Sequence, residues 1–274
     1  MRIKSWALIV VVMLGAVSKM SAAAGLVFDP VGNLYLLGAN PSTIFKFSPN
    51  GAVTKFAVAR AGEDWNGIAT DSHGNVFVAT DADYKRDVIT RIIKFTPAGK
   101  RSIYVANVAN GQPKTLTIDR DGNVFVGMIS VAKPRDLDAI YKIAPGGQRK
   151  SIFTTGMKDP TFLACDNAAN LYVYQESERK ISKLGPKGNE ISSATLGDTY
   201  DLACDQSGNL FVALPHSHEI KKVATDGTTA PFATDVEPWF LAIDQSGNIF
   251  VLDNGIVKLS PEGKRTAFAP NPIN

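Results

Sequence analysis

Nothing in this sequence stays apolar long enough to cross a membrane. The run from Trp6 to Val17 covers 12 residues, where a bilayer-spanning helix needs roughly 20. Its flanks, Arg2 and Lys4 before it and the small residues Ser21 to Ala24 after it, predict a secretory leader over residues 1–24, cleaved near Ala24 or else after Ser18. Cysteine is sparse too, with only Cys165 and Cys204. Export would permit a disulfide, but the two stand at the same place of neighbouring repeats, in Leu-Ala-Cys-Asp each time. They are expected to enter different inter-repeat interfaces as buried free thiols.

Histidine occurs three times, and neither cysteine has one beside it in sequence. The chain holds no Gly-x-Ser-x-Gly elbow, no Walker loop and no dinucleotide fingerprint. That removes the common sequence signals of serine hydrolases, nucleotide hydrolases and dehydrogenases. A charge excess is missing as well. The net charge of +3 rests on Arg2, Lys4 and Lys19, so the mature chain is neutral and its charge points neither to nucleic acid nor to a membrane surface.

What the sequence has in abundance is repetition. Asp-x-x-Gly-Asn recurs at Asp29–Asn33, Asp71–Asn75, Asp119–Asn123, Asp205–Asn209 and Asp244–Asn248, and Asp166–Asn170 is a sixth copy with Ala169 in place of glycine. Each copy is followed by an apolar-aromatic-apolar triplet, then by isoleucine, any residue, lysine and an apolar residue, then by a glycine five places beyond that lysine. Successive Asp residues lie 42, 48, 47, 39 and 39 apart, room for four strands of about five residues with their turns. Asp accepts backbone N–H groups and Gly supplies the positive φ of a tight hairpin. A sheet apolar on both faces must stack against others. The expectation is therefore all-β: one domain, residues 25–274, forming a six-bladed β-propeller with four antiparallel strands per blade.

The segments Gly67–Thr80 ("GIATDSHGNVFVAT") and Ile92–Lys100 ("IIKFTPAGK") resemble the NHL repeat, and the likeness recurs through residues 25–274. The resemblance implies a propeller and leaves function open, since such repeats serve lyases, binding modules and RNA-binding domains alike. The gluconolactonase-like enzymes of the wider superfamily share the blade count. One departure from a closed ring stands out: the mature chain begins at the first strand of blade 1 and ends at the fourth of blade 6. Residues 19–24 would have to remain for the two ends to share a strand.

The two faces of such a disc are treated differently. Both turns of one face keep fixed lengths, whereas from the turn Asn to the isoleucine of the lysine segment the gap is 11, 17, 17, 11, 11 and 8 residues. Variable loops are where recognition is re-specified without disturbing a scaffold. On that variable face the position before each first strand reads Ala24, Asn66, Lys114, Thr161, Tyr200 and Trp239, preceded from blade 2 onward by Trp65, Pro113, Pro160, Thr199 and Pro238. Trp65, Asn66, Lys114, Thr161, Tyr200 and Trp239 are the candidate ligand-binding residues. They either stack on and hydrogen-bond a small polar ligand or plug the channel.

The enzyme resemblance implies a divalent cation such as calcium over the channel, held by carboxylates and carboxamides. Calcium needs several oxygen ligands, and only Asn66 matches. His216 and His218, two apart in Pro-His-Ser-His, would share one side of an extended stretch and start a metal site that has no third ligand. The NHL pattern commonly carries a histidine at the second position, which favours a structural role. Asp119–Asn123 resembles the opening of a calcium loop, but its sibling copies vary where a cage would not. The six lysines are expected to lay their stems on apolar neighbours and pair with the hairpin Asp residues, not to form a polyanion ring. The segments Thr80–Val88 and Ser130–Ala139 are expected as solvated loops. The resulting expectation is an exported, monomeric propeller that binds a small polar ligand, glycan or protein partner on its variable face, with no catalytic residue, cofactor, nucleic acid or membrane insertion. The alternative is a metal-dependent lactonase or lyase.

Overall fold

Each Asp-x-x-Gly-Asn segment folds on its own side chains. One Asp carboxylate oxygen accepts the backbone N–H of the Asn four residues on, at 2.8–2.9 Å in all six copies. The other accepts the Asn Nδ2, at 2.7–2.8 Å. Backbone bonds from the Asp N–H to the Asn carbonyl, and from the fourth residue's N–H to the Asp carbonyl, close the hairpin. The pattern needs both residue types because the carboxylate only accepts and the carboxamide supplies the donor. In the fourth copy Ala169 takes φ +60°, a conformation that costs an L-residue about 1–2 kcal/mol and glycine almost nothing. Ala169→Gly is expected to gain about 0.5–1 kcal/mol after glycine's larger unfolded-state entropy is subtracted. Thermal denaturation should show a rise of roughly 1–4 °C.

The computed structural model of the protein describes residues 25–38, 42–84, 87–130 and 138–273. Positions 1–24, where a leader is expected, and with them Ala24, lie outside the described residues, as do positions 131–137 of the blade 3 segment. Blade 1 is β1 (Gly25–Phe28), β2 (Leu34–Gly38), β3 (Thr43–Phe47) and β4 (Val53–Val58). Blade 2 is β5 (Glu63–Thr70), β6 (Val76–Tyr84), β7 (Asp87–Phe95) and β8 (Arg101–Val105). Blade 3 is β9 (Gln112–Ile118), β10 (Val124–Ile129), β11 (Ala139–Ile143) and β12 (Lys150–Thr155). Blade 4 is β13 (Pro160–Cys165), β14 (Leu171–Gln175), β15 (Lys180–Leu184) and β16 (Glu190–Thr195). Blade 5 is β17 (Asp201–Cys204), β18 (Leu210–Leu214), β19 (Glu219–Val223) and β20 (Thr229–Thr234). Blade 6 is β21 (Phe240–Ile243), β22 (Ile249–Asp253), β23 (Gly255–Leu259) and β24 (Arg265–Pro270). Each blade is a separate four-stranded antiparallel sheet, paired in chain order, so the expected six-bladed propeller is the observed fold.

The second strand of each blade is buried on both faces because alternate side chains enter opposite inter-blade cores. Leu34 and Leu36 pack toward blade 6, while Tyr35 and Leu37 pack toward blade 2. The same alternation takes Val76 and Val78 back to blade 1 and Phe77 and Ala79 on to blade 3. The apolar-aromatic-apolar triplet thus reads as two thin contacts behind and one bulky contact ahead. Cys165 and Cys204 are free and lie in two successive interfaces of this kind, as the repeat position predicts. Burial pushes both thiols up.

The ring closes without a strand shared between its ends among the described residues. Blade 1 and blade 6 instead build a common core from Leu26, Leu34, Leu36, Phe47, Phe250 and Leu252. Phe28 meets Phe250 edge-on with centroids 4.8 Å apart, and Phe268 meets it at 4.9 Å. At the rim, amide side chains reach the next blade's backbone: Asn167 donates to the Gln206 carbonyl at 2.7 Å, Gln206 to Gln245 at 3.2 Å, and Gln245 to Pro30 at 3.1 Å. The last of these crosses the seam.

Two expectations change in detail. The repeated lysines find an aromatic ring as their common partner, because each is paired across the ladder with the triplet aromatic. Their Nζ atoms stand 5.1–5.7 Å from the ring centroids of Tyr35, Phe77, Phe125, Tyr172, Phe211 and Phe250, a contact worth about 0.5–1 kcal/mol at exposed sites. At blade 4 a carboxylate joins it, with Lys183 Nζ 3.6 Å from Asp166 Oδ2. The described parts of the blade 2 segment, Thr80–Tyr84 and Asp87–Val88, are no loose loop either. They extend the β6–β7 hairpin, with Thr80 opposite Arg91 and Asp81 opposite Thr90. Val88, Ile89 and Thr90 are strong strand formers, and Thr90 is tied by backbone bonds to Val108 and Ala109.

Candidate functional site

The six inner strands enclose a channel cavity of about 240 Å³ to which every blade contributes. Toward the uniform face it opens into a vestibule of about 600 Å³ walled by the Asp-x-x-Gly-Asn turns. The two spaces share Phe28, Thr70, Ile118, Cys165 and Ile243 as lining, so they are continuous. Toward the variable face, Leu26, Trp239 and Phe240 pack into one core against which Phe162 and Tyr200 lie. Side chains from blades 1, 4, 5 and 6 meet there in one aromatic cluster.

Two of the candidate residues, Tyr200 and Trp239, belong to that cluster and the others do not. Trp65 is core, 2% exposed, and packs against Phe95 with centroids 5.5 Å apart. Strand alternation explains this, because its repeat equivalents Pro113, Pro160, Thr199 and Pro238 are buried too. Trp65 therefore does not stand at the mouth where the sequence placed it. Trp65, Asn66, Lys114 and Thr161 also lie inside first strands and not before them. Asn66 is half-buried and Lys114 exposed, and no hydrogen bond or ring contact joins either to the other candidates.

Blades 5 and 6 do bring two of them together. Tyr200 is half-buried and meets Trp239 edge-on at 5.2 Å and His216 edge-on at 5.1 Å. Trp239 lies beneath, 5% exposed, with an indole N–H that has no hydrogen-bond partner. Thr161 Oγ1 is 3.0 Å from both the Asp159 carbonyl and Glu176 Oε2. Burial, then the carboxylates of Asp198 and Glu176, raises the Tyr200 phenol. The patch is thus an aromatic floor with a hydroxyl–carboxylate edge. Glu176 was missed in sequence because it sits in a one-turn 3-10 helix, Glu176–Glu178, whose length no repeat pattern announces.

Asp201 was missed as well. Four residues before each turn Asp the repeats read Gly25, Gly67, Thr115, Phe162, Asp201 and Phe240, so one carboxylate enters the inner wall at that level. Asp201 Oδ1 accepts the Leu202 N–H at 2.8 Å and Oδ2 the Leu241 N–H of blade 6 at 2.9 Å. It keeps some surface toward the channel, yet burial pushes its carboxyl up to about 7, against the pull of those two donors.

The donors at the mouth do not fit a hard divalent cation, which takes six to eight oxygens. Asn66 offers one carboxamide, Thr161 is engaged with Asp159 and Glu176, and Lys114 is positive. Among the described residues no three His, Cys, Asp or Glu are grouped to hold a metal. His216 and His218 do not share one side of an extended stretch. Pro215–Ser217 forms a 3-10 turn and His218 ends it at φ 52°, so the two rings diverge. His73 is exposed.

No family model matches the chain, and no curated protein matches it. Solved structures do. A virginiamycin B lyase from Staphylococcus aureus is 13% identical with TM-score 0.64, the match covering 93% of this chain and 86% of that one. A gluconolactonase from Xanthomonas campestris is 17% identical with TM-score 0.66 over 84% and 82%. A calcium-binding regucalcin from Agrobacterium tumefaciens is 14% identical with TM-score 0.63 over 84% and 81%. At these identities the likeness is one of fold.

Proposed function

We propose that the protein is an exported propeller that binds a small polar ligand, a glycan or a protein partner on its variable face, centred on Thr161, Glu176, Tyr200, His216 and Trp239. The observation that carries this reading is the aromatic floor of Tyr200 and His216, backed by Trp239, beside a hydroxyl and a carboxylate. Such a pairing stacks on an apolar ligand face and hydrogen-bonds its polar edge. Export is supported by the leader-like residues 1–24, and the repeat pattern supports an NHL-type propeller.

A second reading, a metal-dependent lactonase or lyase, is favoured by the fold likeness to the Xanthomonas gluconolactonase and the Staphylococcus lyase. It would draw on Asn66, and the donor set argues against it. Fluorescence titration with a panel of neutral saccharides and short peptides separates the two. Quenching of Trp239 that falls at least tenfold in affinity in Tyr200→Ala is expected, with no change in melting temperature on adding calcium. Stabilisation by several degrees with calcium, together with lactone hydrolysis, would instead establish the enzyme.

A further inference from the structure

We propose that the central channel is a second binding site, for a compact monovalent cation, an alkali-metal ion or a primary ammonium, held by Asp201 and admitted from the uniform face. The inference is independent of the variable-face reading and concerns the opposite entrance. Asp201 lines the 240 Å³ cavity and spends one acceptor position of each oxygen on a backbone N–H. A carboxylate oxygen accepts more than one donor, so both retain capacity.

Among the described residues lining the cavity no positive group balances that charge. The strands packed against β17 are β13 and β21, which bring Phe162, Cys165, Phe240 and Ile243 to the cavity, and β17 itself adds Cys204. Both thiols are held protonated by burial. The remaining polar side chains of the wall are Thr70, Thr115 and Thr117 hydroxyls. Buried carboxylates are ordinarily paired or neutralised, and here burial alone drives the carboxyl toward its neutral form. A cation in the cavity supplies the missing partner.

The route in is suited to one. The vestibule wall carries Asp29, Asp71, Asp119, Asp166 and Asp244, against Arg120 as its single cation. These carboxylates accept donors within their own turns, and Asp166 also has Lys183 at 3.6 Å; a cleft walled mainly by one sign concentrates ions of the other. Valence follows from the wall: one carboxylate and hydroxyls match a single positive charge, whereas calcium asks for several carboxylates. The cavity has room for an ion with several waters at about 30 Å³ each.

The Asp201 carboxyl resonance, followed by carbon-13 NMR across pH 4 to 9, tests this at equal ionic strength in potassium, sodium, methylammonium and bulky tetramethylammonium chloride. The titration midpoint is expected to drop by about one pH unit in at least one of the three small cations relative to tetramethylammonium, the shift a ligand at about ten times its Kd produces. Potassium or sodium producing the drop assigns a metal ion, methylammonium an amine. The same midpoint in all four salts overturns the proposal. The effective cation should also raise the melting temperature of the native protein and not that of Asp201→Asn, and equal stabilisation of both would overturn it too. Should Asp201→Asn not fold, the carboxyl titration of the unmodified protein decides alone.

Discussion

Phe250→Ala should destabilise the protein by about 3–5 kcal/mol and lower its melting temperature by roughly 10 °C. Phe250 is 4% exposed and lies where the first and last blades meet. Its ring contacts both Phe28 and Phe268 edge-on and carries Lys258 5.5 Å from its centroid. Its repeat equivalent Phe211 has a single ring partner at this position, Phe232 at 5.0 Å, and sits in an interface that the chain itself crosses. With no strand shared across the seam among the described residues, Phe250→Ala should loosen β1 locally as well as lowering global stability. Urea denaturation gives the first effect, and hydrogen exchange of Leu26 to Phe28 gives the second. Equal losses in Phe250→Ala and Phe211→Ala, with no faster exchange in β1, would mean that the seam is not distinct.

The second large effect is on pH dependence, through Asp201. The folded carboxyl titrates near 7 and the unfolded one near 3.8. Between those values the native state holds a proton that the unfolded chain has released, so rising pH favours unfolding. The stability present below about pH 4 is lost progressively toward pH 7, by about 1.4 kcal/mol per unit and about 4 kcal/mol in all, and stays lost above it. Asp201→Asn removes this slope. Its neutral side chain offers one acceptor where two N–H groups need one, so at pH 5 it should be less stable than the native protein. By pH 8 the difference should have moved by about 3 kcal/mol in the variant's favour. Denaturant midpoints of both proteins at a series of pH values measure it, and parallel curves would show that Asp201 ionises freely in the fold. A cation bound in the channel would flatten the native curve.

The fold was legible because its determinants are local and are stated six times. An Asp–Asn pair and a glycine make one hairpin, and the triplet that follows has its two faces written in alternation. Even the exception, Ala169, keeps the turn. The site was legible only in part. Tyr200 and Trp239 stand one place after the repeat position that strand alternation buries, and they meet as expected. Trp65 stands on that buried position and becomes core. Asp201 differs from its repeat equivalents as plainly as Trp239 does. Its importance depends on how far six inner strands bury one carboxylate, and no pattern along the chain carries that distance. Glu176 reaches Thr161 through a turn of conformation specific to its blade.

The amide contacts along the rim ask very little of the blade that receives them. Each of Asn167, Gln206 and Gln245 offers a donor to a main-chain oxygen, the one acceptor that every residue possesses, so Pro30 serves as well as any other. At the rim, unlike in the inter-blade cores, a blade is indifferent to the side chains of its successor. Exchange of a single blade would then need no matching side chain at the rim of its neighbour, and only the shared core between them would have to fit.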